Sequence, residues 1–244
     1  MKELHKVLSR VRQAVQHYGM ISSGDRIAVG VSGGKDSMAL LYALSEMRRF
    51  YPEPYEVAAV TIDMGFSEGN FDENFAPVFH FCNTIGVEIK VVRTQIARIV
   101  FDERKEPNPC SLCAMLRRGA LNRAAGELNC NKLALGHHKD DVVETFMMNL
   151  MHEGRIGCFE PVTKYGNIGL TVIRPLCYTE ERMVKQLVSA GGIPVVKSPC
   201  PEDGHTEREY MHEYLMGFEK EHRGTYRRIF GALERREIDG WREE

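Results

Sequence analysis

Short apolar runs alternate along this chain with stretches of helical spacing, a pattern that predicts a parallel sheet covered by helices. Residues 3 to about 18 carry Leu4, Val7, Leu8, Val11 and Val15 on one side, with Lys6, Arg10 and Arg12 among the others. That basic face suits solvent and an RNA contact equally. Ser22, Ser23 and Gly24 then turn the chain into residues 27–31, a β-branched run of the kind buried in parallel sheets. Leu40, Leu41, Leu44 and Met47 give the next segment a helical period, which Pro52 and Pro54 end. A strand over 56–63, a helix over 71–85 and a strand over 87–92 follow. Helical pattern resumes at CSLCAMLRRGAL and runs to about Leu128, and a short strand over 132–135 leads into another helix. From Thr171 the order is a short strand, a helix over 179–190 and an extended piece over 194–196. Two charged helices broken near Gly224 complete the chain. The fold class is therefore α/β, a doubly wound parallel sheet with helical N- and C-terminal additions.

Composition narrows the picture modestly. The chain has 244 residues, 27% charged and 43% hydrophobic, which suits one large globular domain with additions. A net charge of −2 advertises no global attraction to nucleic acid, so any RNA contact must come from local basic patches. The N-terminus is amphipathic and basic without the apolar centre of a signal peptide, and no apolar run is long enough to cross a bilayer. A cytoplasmic protein with no membrane partner is the expectation. Seven cysteines, an odd number, read in a reducing compartment as thiols or metal ligands.

The first strand runs straight into a Gly-Gly pair and a helix, as IAVGVSGGKDS. Gly33 and Gly34 let the backbone turn its N–H groups inward, Lys35 adds a mobile positive charge, and the helix adds its positive end. Ser32 and Ser37 place hydroxyls on either side. Strand, glycine turn and helix make a phosphate site, although the spacing is shorter than that of a Walker A loop. Asp36, directly after the lysine, puts a carboxylate where phosphates arrive, which makes sense with a divalent cation between them. SGGKDS resembles the PP-loop of the ATP pyrophosphatases, which cleave ATP between its α- and β-phosphates and adenylate a carbonyl oxygen. Residues 25–200 are then the PP-loop ATP-binding domain carrying the cysteine site, 1–24 an N-terminal helix and 201–244 a C-terminal extension. Adenine is expected at the end of the second strand, near Ile62 and Asp63, mostly against backbone.

The fourth strand ends in Gly136, His137 and His138 on the same rim of the sheet, and the following helix carries Asp140, Asp141, Glu144 and Thr145. Asp140 and Glu144 share one face, as do Asp141 and Thr145. Capping of the helix dipole accounts for the two aspartates as well as a functional role does. LGHHKDDVVET resembles the second signature of the tRNA-modifying branch of PP-loop enzymes, which contains the 2-thiocytidine, 2-thiouridine and lysidine synthetases. That resemblance implies Mg2+ on Asp36 and Asp141 with His137 near the α-phosphate, and leaves His138 structural. Arg174, in an IRPL segment similar to the same branch, suits either a phosphate or RNA contact or a structural ion pair.

Cys110 and Cys113 form a CxxC at the start of a helix, after Pro107 and Pro109, where a thiol pKa is expected to fall. A redox dithiol, half a zinc site and part of an iron–sulfur site all fit one CxxC. Cys200, between Pro199 and Pro201, is the candidate third thiolate. Three thiolates would leave a cubane with one iron free of protein ligand, and zinc with His205 as fourth ligand is the alternative. Cys82, Cys130, Cys158 and Cys177 lie in apolar segments and read as packing residues. CSLCAMLRRGAL and the segment around Cys200 resemble the tRNA 2-thiocytidine synthetase (TtcA) family, with one cysteine near position 200 rather than a close pair.

The resemblance implies adenylation of the C2 oxygen of an anticodon-loop cytidine, position 32, and its replacement by sulfur through a [4Fe-4S] cluster. ATP, Mg2+ and the cluster are the cofactors implied. The implied partners are tRNA, a sulfur donor of the cysteine desulfurase kind and a second copy of the chain. Arg117 would face this site, with Arg118 and Arg123 turned elsewhere. Arg227, Arg228, Arg235 and Arg236 make a second basic patch, diluted by Glu234 and Glu237. The alternatives are 2-thiolation of uridine and an adenylating ligase without a cluster. A nucleotide sensor would need no second acidic helix.

Overall fold

The computed structural model describes residues 2–66, 70–105, 109–166, 168–202, 204 and 206–243. Six strands form one sheet: β1 (Arg26–Gly30), β2 (Glu56–Asp63), β3 (Glu88–Arg93), β4 (Lys132–Ala134), β5 (Val162–Tyr165) and β6 (Leu170–Ile173). Their order is β3-β2-β1-β4-β6-β5, parallel throughout except for β5, which pairs antiparallel with β6. The helices are α1 (Lys2–His17), α2 (Lys35–Met47), α3 (Phe71–Thr84), α4 (Pro109–Glu127), α5 (Lys139–His152), α6 (Glu181–Gly191), α7 (Glu207–Glu221) and α8 (Thr225–Arg235). Each expected element is present, and three features go beyond the expectation: the β5 edge strand, a π-helical segment, Arg98–Arg104, and a 3-10 turn, Ile238–Gly240.

Strand alternation sorts the core into two faces. Ile27, Val29, Val57, Ala59, Ala134 and Ile173 pack with α1, α2, α3, α5 and α6, whereas Ala28, Ala58, Val60, Leu133 and Val172 pack with α4. The α4 side is built from small residues, Ala124 and Ala125 against Ala28 and Ala58, which brings this helix close to the sheet. Right-handed crossovers put the N-terminus of every helix that follows a parallel strand at the C-terminal rim of the sheet. The phosphate loop, the CxxC helix and the acidic helix therefore all start on one rim. Strand order reverses between β1 and β4, and the crevice at such a reversal is where open α/β sheets bind ligands.

The C-terminal extension is part of the same core. Met211 and Leu215 of α7 and Phe230 and Leu233 of α8 join the large cluster, and Trp241 is fully buried beyond them. Trp241 Nε1 donates to the Phe159 carbonyl at 2.9 Å, and its ring meets Tyr18, Phe159 and Phe230 edge-on. One residue thus fastens the chain end to the N-terminal helix and to the loop before β5. Trp241→Ala is expected to cost about 3–5 kcal/mol of stability in urea unfolding, the range for truncating a buried aromatic.

Candidate active site

The phosphate loop is braced from within. Ser37 Oγ donates to the Gly34 carbonyl at 2.9 Å and accepts from the Ser32 N–H at 3.1 Å, while the Gly34 N–H reaches Ser32 Oγ at 3.3 Å. Gly33 has φ +82°, and a Cβ there would press on Phe75 and Val196 at 3.1 Å. Gly34 caps α2 with no side-chain hydrogen bond, so the first turn of α2 keeps open N–H groups for an anion. Gly136 matters as much: a Cβ on it would lie 3.0 Å from the backbone of Asp36 and Ser37.

Lys35 is held between two carboxylates, Asp36 at 3.0 Å and Glu181 at 3.1 Å. Glu181 also pairs with Lys185 at 2.8 Å. Burial alone would push the Glu181 carboxyl up, but the hydrogen bonds from Lys185 and Lys35 hold it at about 2. Asp140 accepts from the Glu181 N–H at 2.9 Å, tying α5 to α6.

His138, not its neighbour, organises the acidic helix. It caps α5 in a reciprocal box, Asp141 N–H to His138 Nδ1 at 3.3 Å and His138 N–H to Asp141 Oδ2 at 2.8 Å. Its Nε2 lies 3.6 Å from Asp36 Oδ1, so one imidazole stands between the two carboxylates that the resemblance implied for Mg2+. Asp36 Oδ1 is buried without a hydrogen-bond partner and fits a cation. Asp141 Oδ1 instead meets Arg208 Nη1 at 3.4 Å, and Arg208 Nη2 reaches Thr145 at 3.0 Å. Behind them the buried Glu144 accepts from or shares a proton with His212 at 2.7 Å. Arg208 and His212 were invisible in the sequence, because their partners lie more than sixty residues away. His137 is half-buried, its Nδ1 unpartnered, and burial pushes its imidazole down to about 3, so it is neutral. At the end of β2, where adenine was expected, Asp63 accepts from Arg93 at 2.8 Å and from the Gly65 N–H at 3.0 Å, with Ile62 half-buried beside it.

The three expected thiols lie near enough to act on one another electrostatically, with Cys110 exposed and Cys113 and Cys200 half-buried, but among the described residues no three Cys, His, Asp or Glu side chains are gathered closely enough to hold a metal ion. Burial raises Cys110 and Cys113, and the Cys200 thiol raises each of them further, while Arg117 opposes the rise. The drop expected at a helix N-terminus is therefore outweighed by burial and mutual repulsion. Pro109 opens the helix as its first residue, and Pro107 and His205 lie outside the described residues. Cys200 arrives through an extended segment pinned by the Val196 N–H on the Gly33 carbonyl at 2.9 Å. Thiols that raise one another would gain from a cation between them, but their present arrangement is not a formed metal site. Cys82, Cys130, Cys158 and Cys177 are buried, as packing residues should be. Arg228 is spent on the carbonyls of His222 and Arg223.

A glycine-turned phosphate loop and an acidic helix facing each other across the strand reversal define a PP-loop nucleotide-binding protein. The family model described as the PP-loop domain matches residues 4–217. A tRNA-cytidine(32) 2-sulfurtransferase of Geobacter sulfurreducens is 39% identical over 231 residues, 93% of this chain and 88% of the relative. Another, of Syntrophotalea carbinolica, is 40% identical over 83% of this chain and 77% of its own length. Among solved structures, the U34-tRNA thiolase NcsA from Methanococcus maripaludis with its [4Fe-4S] cluster superposes with a TM-score of 0.79 at 29% identity, over 96% of this chain and 78% of that one. The chain belongs to the PP-loop family and, within it, to the tRNA-cytidine(32) 2-sulfurtransferases.

Two outcomes follow from this electrostatics. Glu181 is depressed from its ordinary 4.5 to about 2, so the stability it adds is complete above pH 4.5 and fades as pH falls toward 2. Melting temperatures of wild type and Glu181→Gln should converge over that interval. Titrating Co2+ into weakly buffered, reduced protein should release about one proton per liganding thiol, and Cys110→Ser should lower that count.

Proposed function

We propose that this chain is an ATP-dependent tRNA-cytidine 2-sulfurtransferase that adenylates the C2 oxygen of cytidine 32 and exchanges it for sulfur. The carrying observation is that Val196 on Gly33 ties the Cys200 segment to the phosphate loop, joining a thiol centre to a nucleotide site. The names of the relatives support the same reaction.

The open N–H groups of α2 and Lys35 would hold the pyrophosphate portion of ATP, with adenine at the Ile62–Asp63 end. Asp36, with its unpartnered oxygen, and Asp141 are the proposed holders of Mg2+. His137, neutral, can donate to an α-phosphate oxygen without adding charge. Attack by the cytosine C2 oxygen forms an O–P bond and expels pyrophosphate, whose charge the loop and helix dipole meet without reorganising. A [4Fe-4S] cluster on Cys110, Cys113 and Cys200, when bound, supplies an iron without a protein ligand at which sulfide can be held. Formation of the C2–S bond then expels AMP, the sulfur coming from a donor of the cysteine desulfurase kind. Arg117 keeps positive charge beside the thiols. An anticodon-loop base costs less to unstack than a paired one. A homodimer in the cytoplasm completes the reading, and among the described residues no helix is long and apolar enough to cross a membrane.

The likeness to a U34-tRNA thiolase favours uridine as a second reading. Incubation of anaerobically reconstituted protein with unmodified tRNA, ATP and sulfide, followed by nucleoside mass spectrometry, separates them. Expected are 2-thiocytidine, AMP and pyrophosphate, with thiolation falling to background in Cys110→Ala, Cys113→Ala and Cys200→Ala while ATP still binds. 2-Thiouridine would transfer the assignment to the second reading. Stoichiometric zinc and no iron after reconstitution would sink the cluster route and leave an adenylating enzyme.

A further inference from the structure

Arg174 follows β6 at the rim, one strand from Gly136 and His137, since Ala134 is in register with Ile173. It is 8% exposed, yet no carboxylate among the described residues pairs with it. Its Nη1 donates to the Glu160 carbonyl and to Thr163 Oγ1 at 3.2 Å, and its Nε is buried with no partner. The structural ion pair open to it in the sequence is not formed. A buried guanidinium without counter-charge is unfavourable unless something supplies that charge.

The surroundings indicate what does. Phe159 lies beneath Arg174 at 4.8 Å and beside His137 at 4.8 Å, so two side chains with open buried nitrogens flank one ring. Arg174 and Arg208 both act on His137 and on Cys158, and Arg118, expected to face elsewhere, acts on Arg174. Cationic side chains thus act on the β6 side of the crevice, away from the β2 end, with the Glu160 carboxylate opposing them at Arg174 and Asp141 at His137 without pairing to either.

We propose that Arg174, with His137, forms a subsite for one phosphate group. A phosphate oxygen would accept from Arg174 Nε and neutralise the guanidinium, with its planar fork suited to a tetrahedral anion. Phosphate can reach this place from two sources, the α-phosphate of the nucleotide or a phosphodiester of the acceptor RNA. The inference rests on the proposed function for its ligands but is read by binding alone.

Affinities for ATP with Mg2+ and for an anticodon-arm oligonucleotide are measured on wild type, Arg174→Lys, which keeps charge but loses Nε–H, and Arg174→Met. Thermal melts establish that each is folded. A loss of about tenfold or more in either affinity supports the subsite. Loss for RNA names the phosphodiester, and loss for ATP names the nucleotide phosphate. Folded variants that bind both ligands within about twofold of wild type overturn it. Should neither variant fold, the solvent-shielded Arg174 Nε–H of wild-type protein is followed by 15N NMR. A shift on saturation with AMP or the oligonucleotide supports the subsite, and no shift with either overturns it. Wild type that binds both ligands but makes no thiolated base overturns the proposed function and leaves the subsite result intact.

Discussion

A Cβ at position 136 would sit 3.0 Å from the backbone carbon of Asp36 and the backbone nitrogen of Ser37, tighter than nearly all Cβ atoms approach a neighbour. The end of β4 and the start of α2 are in direct backbone contact, and glycine is what allows it. Because these strands flank the reversal of the sheet, the contact brings two helix N-termini to one crevice, α2 with its open N–H groups and α5 with its acidic first turn. His138 can then cap α5 and still stand 3.6 Å from Asp36. Were the two backbones farther apart, the phosphate loop and the acidic helix would be separate features rather than one site.

Cys200 depends on a second tether. Cys110 and Cys113 reach the rim because α4 follows a parallel strand and packs closely on alanines. Cys200 has no such guarantee, since it lies in an irregular segment after α6. The hydrogen bond from Val196 to Gly33 supplies it, and the Thr206–Glu209 capping box restarts helical structure six residues after Cys200. Arg208, the second residue of α7, then grips Asp141 and Thr145. The chain from phosphate loop to cysteine to acidic helix is thereby closed, which explains why the C-terminal helices share the core of the sheet.

Most of the architecture was legible because its signals are local. Period and punctuation give α1 through α8 and five of the six strands, and SGGKDS marks the loop from residue types alone. The β5 edge strand escaped because it is short, half-exposed and antiparallel, so it lacks the apolar run that identifies the central strands. The π-helical segment is a hydrogen-bonding variant with no residue signature of its own. In the site, the capping role of His138 follows from its place before an acidic first turn, whereas Arg208, His212 and Trp241 act through partners on distant segments. The thiol pKa expectation turned the other way for a related reason: the helix end is local, but the burial and the third thiol that outweigh it are tertiary.

The rim is also divided by charge, and the division has a direction. On the β1 and β4 side, Asp36, Asp140 and Asp141 surround His138, an arrangement that gains from a cation. On the β6 side, Arg174 is buried without a carboxylate, and Arg208 and Arg118 add to its field. Arg208 sits where the two regions meet and partly satisfies the acidic one at 3.4 Å from Asp141. A cation brought in with nucleotide phosphates would compete with Arg208 for that carboxylate, and a guanidinium released from it would strengthen the positive side of the crevice.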